Sequence, residues 1–424
     1  MAKCEFIAQE EKVSEVKNEK IYDYISYCKQ YKMFCEEKIE DYIDPDKIKE
    51  LVKKFPFLKD KIDTNNFNKN KNEVNKILKK YKKDKIKDFP LNWLKNNFIK
   101  SDTVKTFSIA KKDTAHIKKI SGIIENKDKI SEIVKDLPTY SFILWTEFEL
   151  NTPYFSRDDD NFYLIQNPVL KEQIFKIPMI RGSSWKGSLA SAFKDIINDE
   201  KEKTKVIDSY FRIFGAGSES IQNLENYFKN KSEKEGLTNL KDKGIKEKIV
   251  ELLLFELGLT LNKEEINKIK SGEIVDVLTE WLTSKSKDYI VKSKLPFELR
   301  THKGRVVFYP TFFDKISLEV INPHDRSKRT GKAPIFYEVV PTGSRGILQI
   351  VYIPFDLSTN KDEIESDINY LISAIEILSE KGIGAKTKLG WGSYKLMHRY
   401  YYITNQNGID IQNKEWKDVN DESK

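Results

Sequence analysis

The chain has 424 residues, 39% of them hydrophobic and 33% charged, with a formal net charge of +8. That length predicts two domains, or one domain with long insertions. The basic excess suits a phosphate-rich partner, but 66 acidic residues offset most of the 74 basic ones, so a solvated lysine surface explains the balance equally well. No apolar run approaches the roughly 20 residues that span a bilayer, and residues 1–20 do not read as a secretory leader. Three cysteines, Cys4, Cys28 and Cys35, form no CxxC pair. They fit a reducing cytoplasm and offer no clustered zinc ligands.

Residues 1–137 read as a mostly helical, lysine-rich N-terminal region. Tyr22, Ile25, Tyr31 and Phe34 can stripe one helix; Val74, Ile77, Leu78 and Tyr81 can stripe another, within the basic run Lys79 to Lys87. Such a run is either a solvated face or a phosphate contact. Pro90 and Trp93 mark a break, and residues 101–135 show no clear period. From Tyr140 to Leu150 the pattern changes: Phe142, Leu144, Thr146, Phe148 and Leu150 alternate as in a strand. Asp158, Asp159 and Asp160 follow in a polar loop. Consecutive carboxylates point in different directions, so no metal site is expected there.

An extended segment then enters an amphipathic helix carrying Leu189, Phe193 and Ile196. Ser183 or Ser184 is placed to cap it, and Arg181 and Lys186 strengthen the pull of its N-terminus on phosphate. Ser184 lacks a GxSxG elbow and does not read as a nucleophile. Tyr210 to Gly217 is an aromatic helix end stopped by glycine, and 218–294 reads as a charged helical insertion. From Leu295 strand character returns, and Gly304 to Phe313 is apolar, β-branched and expected to be buried. The loop Asn322 to Lys332 carries His324, Asp325, Arg326, Lys328 and Arg329, before strands over Ile335–Val340 and Gly346–Ile353.

Asp362 to Glu380 has a helical stripe of Ile364, Ile368, Leu371, Ile372, Ile375 and Leu378, with Gly382 as its left-handed cap. Next comes a run of glycines and lysines, Lys381 to Tyr394, then a tyrosine-rich strand to Thr404 and a polar tail over 405–424. A loop of that composition is either a tight turn with solvated lysines or an anion cradle made of exposed amides and flanking cations. It is no Walker motif, because no GKS or GKT follows a strand.

IRGSSWKGSLASAF (Ile180 to Phe193), YFRIFG (Tyr210 to Gly215) and GIGAKTKLGWGSY (Gly382 to Tyr394), in this order and with GRVVFYPTFF between the last two, resemble the RAMP superfamily of CRISPR-associated proteins over residues 138–404. The NPH segment followed by PIFYEVVPTGSRG is most similar to the terminal RAMP subunit of type III-B (Cmr) effector complexes. The resemblance implies an α+β fold: a ferredoxin-like, RRM-related βαββαβ core with helical insertions. It implies RNA contact at Gly382, Gly384, Lys386, Thr387, Lys388, Gly390 and Gly392, and at Arg181, Ser183, Ser184 and Lys186. Arg326 is a further RNA-binding candidate on the His324 loop. The expected partners are guide RNA, target RNA and neighbouring RAMP backbone subunits, with no membrane, metal or cofactor. An endoribonuclease is the competing expectation, with His324, His302 or Asp158 as the groups to carry it.

Overall fold

The computed structural model describes residues 99–100, 103–104, 107–109, 111–159, 167–199, 203–217, 222, 300–325, 330–331, 334–355, 360–404 and 408–420. The helices expected before residue 99 and, Gln222 apart, the insertion at 218–294 lie outside the described residues. In chain order, strand β1 (Phe107–Ser108) leads into helices α1 (Lys111–Ile120) and α2 (Ile130–Val134). The long strand β2 (Phe142–Leu150) and the short β3 (Met179–Ile180) precede the helix pair α3 (Gly182–Asp199) and α4 (Lys203–Phe214). Then come β4 (Gly215–Ala216), β5 (His302–Lys303), β6 (Val306–Phe308), β7 (Thr311–Phe312) and β8 (Lys315–Ile321). The chain closes with β9 (Ile335–Val339), β10 (Arg345–Tyr352), α5 (Lys361–Lys381), β11 (Tyr394–Ile403) and β12 (Lys417–Asp418).

The main sheet has the order β12-β11-β2-β10-β6. Neighbours run antiparallel except β11 and β12, which are parallel. The period-two alternation of β2 decides its faces. Phe142 stacks on Tyr352 of β10 at 4.4 Å, and Phe148 meets Trp185 of α3 edge-on at 5.8 Å. These side chains face the layer in which α3, α4 and α5 pack together. Each fully buried large apolar side chain there contributes on the order of 1.5–3 kcal/mol. In α5 the apolar stripe is buried as its spacing predicts, and Asn360 caps the helix by accepting from the Asp362 amide at 3.2 Å.

The opposite face of β2 is covered where the sequence showed no periodicity. The Trp145 indole donates to the Ile124 carbonyl at 2.9 Å, and Gln349 of β10 bonds both the Ile124 amide and the Gly122 carbonyl. Ile109, Ile117, Ile123, Ile124, Ile130 and Val134 join the same buried cluster as the sheet. Apolar residues between 109 and 134, counted with the N-terminal region in the sequence, thus contribute to this core. Those isoleucines are spread between short elements, so no helical or strand period betrays them.

Within the polar stretch 405–424, β12 pairs with β11, and Ile411 and Trp416 are buried. The outer edge of β11 offers unpaired backbone groups, and this segment satisfies part of that edge. The strand character of Gly304 to Phe313 resolves into two short strands separated at Pro310, which has no N–H for a ladder. Val307 is exposed because β6 is the edge strand. A smaller sheet, β9-β8-β1, sits beside the main one.

Candidate nucleic-acid interface

Three of the four loop glycines are required by the fold. Beyond α5 the Gly382 amide donates to Leu378, Ile383 to Gly392, Gly392 to Pro153 and Ala385 to Phe155, all at 2.7–3.0 Å. These bonds tie the two limbs of the loop to each other and to Pro153–Phe155. A Cβ on Gly382 would lie 2.5 Å from the Trp391 carbonyl oxygen, on Gly384 2.4 Å from that of Phe155, and on Gly392 2.1 Å from that of Ile383. All three also have φ between 81° and 94°, where a side chain is strained.

The tip differs. Gly384 through Lys386 and Lys388 through Gly390 are exposed, with Thr387 half-buried in a one-turn 3₁₀ helix. Lys386, at φ 69°, starts that turn in the left-handed region. The backbone N–H groups of Gly384, Lys386, Thr387 and Lys388 find no acceptor among the described residues. Amides left free on a turn flanked by two ammonium groups make an anion-binding concavity. Beneath the tip, the Lys386 ammonium stands 5.5 Å from the Tyr337 ring centroid, and Trp391 packs edge-on against Tyr337 and Phe155. The amides of Gly382, Ile383, Ala385 and Leu389 through Gly392 are bonded inside the protein.

Helix α3 starts earlier than its serines suggested. The Arg181 carbonyl accepts from the Ser184 and Trp185 amides at 2.9 and 3.1 Å, so Ser183 and Ser184 lie in the first turn and not at the cap. Gly182 sets this start, since a Cβ there would come 2.2 Å from the Phe308 carbonyl oxygen. The buried Trp185 indole, donating to Thr311 Oγ1 at 3.0 Å, fixes the helix on the sheet. Arg181 and Ser183 are exposed. Lys186 also reaches water, yet its surroundings desolvate the ammonium enough to lower its pKa. Tyr154 links the two regions. Its ring lies against Gly384, while burial raises the pKa of its hydroxyl and the nearby Arg181 charge counters part of that shift.

The catalytic candidates fare differently. His302 places Nδ1 2.7 Å from the Arg300 carbonyl and Nε2 3.0 Å from that of Phe211. A neutral imidazole donates to one of these carbonyls at a time, according to its tautomer, and the ring lines the cleft beside Gly215 and Lys303. The Asp158 carboxylate accepts from the Lys171 amide at 3.2 Å, which ties down its own loop. His324 pairs in a two-residue strand with Gly331, its side chain outside the described residues, as is Arg326. Among the described residues no cluster of His, Cys, Asp and Glu is placed to hold a metal ion.

Two buried ionic groups went unread in the sequence. Arg212 in the YFRIFG segment donates from Nε and Nη2 to Asp367 of α5, which also accepts from Ser209 and, at 2.7 Å, from Tyr352. Lys171 pairs with Glu338 of β9, both side chains buried, and Glu338 follows Tyr337 in the strand. An acid and a base far apart in sequence give no local signal of pairing. The only hint was an aspartate inside the apolar stripe of α5.

No curated protein matches the chain. Among solved structures, a chain of the type III-B Cmr-beta complex bound to cognate target RNA aligns at 13% identity over 94% of this chain and 98% of that one, with a TM-score of 0.40. Cmr6 from Pyrococcus furiosus aligns at 14% identity over 61% of this chain and 99% of its own, with a TM-score of 0.26. The RAMP superfamily model matches residues 147–395, from β2 through the glycine loop to the start of β11 and so more than half of the chain. The chain belongs to the RAMP superfamily.

Proposed function

We propose that this chain is an RNA-binding subunit of a type III CRISPR effector complex, most like the terminal RAMP subunit of type III-B (Cmr) complexes. In this reading it works in the cytoplasm in antiviral defence. It grips phosphates of guide RNA or of the guide–target duplex and packs against neighbouring RAMP subunits. The core is ferredoxin-like: β2-(α3, α4)-β6-β10-α5-β11 is a βαββαβ order with β2 and β10 at the centre of the sheet. The observation that carries the reading is the exposed loop tip, where free amides of Lys386, Thr387 and Lys388 lie between two lysine side chains. Such a surface reads phosphates and strand shape more than base identity.

For the nuclease alternative, one His302 ring nitrogen has a backbone carbonyl to donate to and Asp158 accepts from the Lys171 amide, so each of these candidates has a structural task as well. The test is the affinity of the isolated chain for single-stranded RNA across a salt series. Log affinity is expected to fall linearly with log salt, by about 0.7 per phosphate neutralised. Affinity that ignores salt sinks the phosphate reading.

A further inference from the structure

A sheet edge presents N–H and C=O groups that can pair with another chain, and the hazard grows with the length of the edge strand. On one side the main sheet ends on β6, a strand of three residues. On the other side stands β11, ten residues long and rich in tyrosine, a residue that favours strands. Two devices interrupt its outer edge. The ladder with β2 shifts register between Leu396 and Arg399, and a bulge of that kind bends the strand. Beyond the bulge, β12 runs parallel along Tyr400 and Tyr401, and the Val419 amide donates to the Tyr401 carbonyl at 3.1 Å.

A two-residue strand makes few ladder bonds, so residues 408–420 need a second hold, and α5 supplies it. Glu365, Asn369 and Glu376 recur at helical spacing and share one face of that helix. Glu365 accepts from the Asp410 amide at 3.2 Å. Asn369 donates to the Asp410 carbonyl and accepts from the Gln412 amide, both at 2.9 Å, as the backbone of a neighbouring strand would. One Glu376 oxygen accepts from Arg399 of β11, from Asn413 and from the Trp416 indole at 3.2–3.3 Å, and Arg399 also pairs with Glu415. Ile411 and Trp416 are buried in the core cluster. We infer that residues 408–420 are an edge guard: latched to α5 by Asn369 and Glu376, they close the outer edge of β11 to a second copy of this chain. The partner follows from symmetry, because β11 can pair antiparallel with itself about a two-fold axis, one set of residues serving both sides. This inference does not rest on the RNA reading.

The test opens the guard in the full chain with Glu376→Ala and Val419→Pro, which remove the shared acceptor and the amide bonded to Tyr401. Molecular mass is followed by light scattering as the protein concentration is raised. The wild-type chain is expected to stay monomeric. The opened variant is expected to double in mass while keeping the wild-type circular-dichroism spectrum. Adding Met397→Lys, a charge on the edge strand, should return it to monomer. If the two changes together lose the native spectrum, Val419→Pro alone carries the test, with a smaller dimer fraction expected. A natively folded opened variant that stays monomeric at every concentration overturns the inference. So does a dimer that Met397→Lys leaves intact, since its interface lies elsewhere. A wild-type chain already dimeric with its edge closed overturns it as well.

Discussion

Gly390 and Gly392 sit two residues apart with φ of 82° and 81°, yet they answer to different constraints. A side chain on Gly392 would run into the Ile383 carbonyl oxygen at 2.1 Å, whereas one on Gly390 would meet nothing within 4 Å among the described residues. The base of the loop is thus a piece of the core that happens to be rich in glycine. The tip is a solvent-facing turn held out on that base. A glycine-rich basic stretch is therefore two things at once, and only the second is available to a ligand. The largest effect that checks this division is Gly392→Ala. Backbone contact and left-handed strain together should cost about 3–5 kcal/mol, read as a large drop in the denaturant midpoint. A near-normal midpoint would mean the base of the loop is less constrained than its geometry states.

The support under the tip is the next place to press. Tyr337 lies beneath Lys386 and adjoins Glu338, whose carboxylate pairs with buried Lys171 and accepts from the Val169 amide at 3.2 Å. Glu338→Gln removes the carboxylate paired with the buried Lys171 ammonium, a loss of about 3 kcal/mol or more. Glu338→Gln with Lys171→Met should recover much of that, because both charges leave together. A double variant no more stable than the single one would show that the pair contributes through shape alone.

At the tip itself, Lys386→Glu with Lys388→Glu should leave stability within about 0.5 kcal/mol, as for most exposed substitutions. The same pair should shrink the salt dependence of RNA binding by about two phosphate contacts. An unchanged slope would move the phosphate path away from the loop and toward Arg181 and the start of α3.

Much of this was legible from spacing alone. β2 showed alternation from Phe142 to Leu150 and α5 showed a helical stripe from Ile364 to Leu378, because one apolar face writes a local period into the sequence. What escaped were features made of distant parts. Asp367 broke the stripe of α5, but its partners Arg212, Ser209 and Tyr352 come from other elements. Ile117, Ile124 and Ile130 complete the far face of the sheet from short, irregular elements. In the site, glycine and lysine were visible as residue types, but which amides stay free depends on Pro153 and Phe155, more than two hundred residues before the loop. The left-handed Lys386 had no signal, since lysine is not a residue that advertises that conformation.

That lysine allows the finest separation of the tip from its base. At φ 69° it carries a strain that glycine would not, although a glycine there would lack the charge over Tyr337. Lys386→Gly and Lys386→Ala remove the same ammonium, but only glycine relieves the backbone. The glycine variant is expected to be more stable than the alanine variant by about 1 kcal/mol, and both should lose RNA affinity equally. If the glycine variant kept its affinity, free backbone amides and not the side-chain charge would be holding the phosphate. If the two variants were equally stable, the left-handed turn would be an adaptable feature of a mobile tip, and the contrast with the rigid base would be larger than the geometry alone implies.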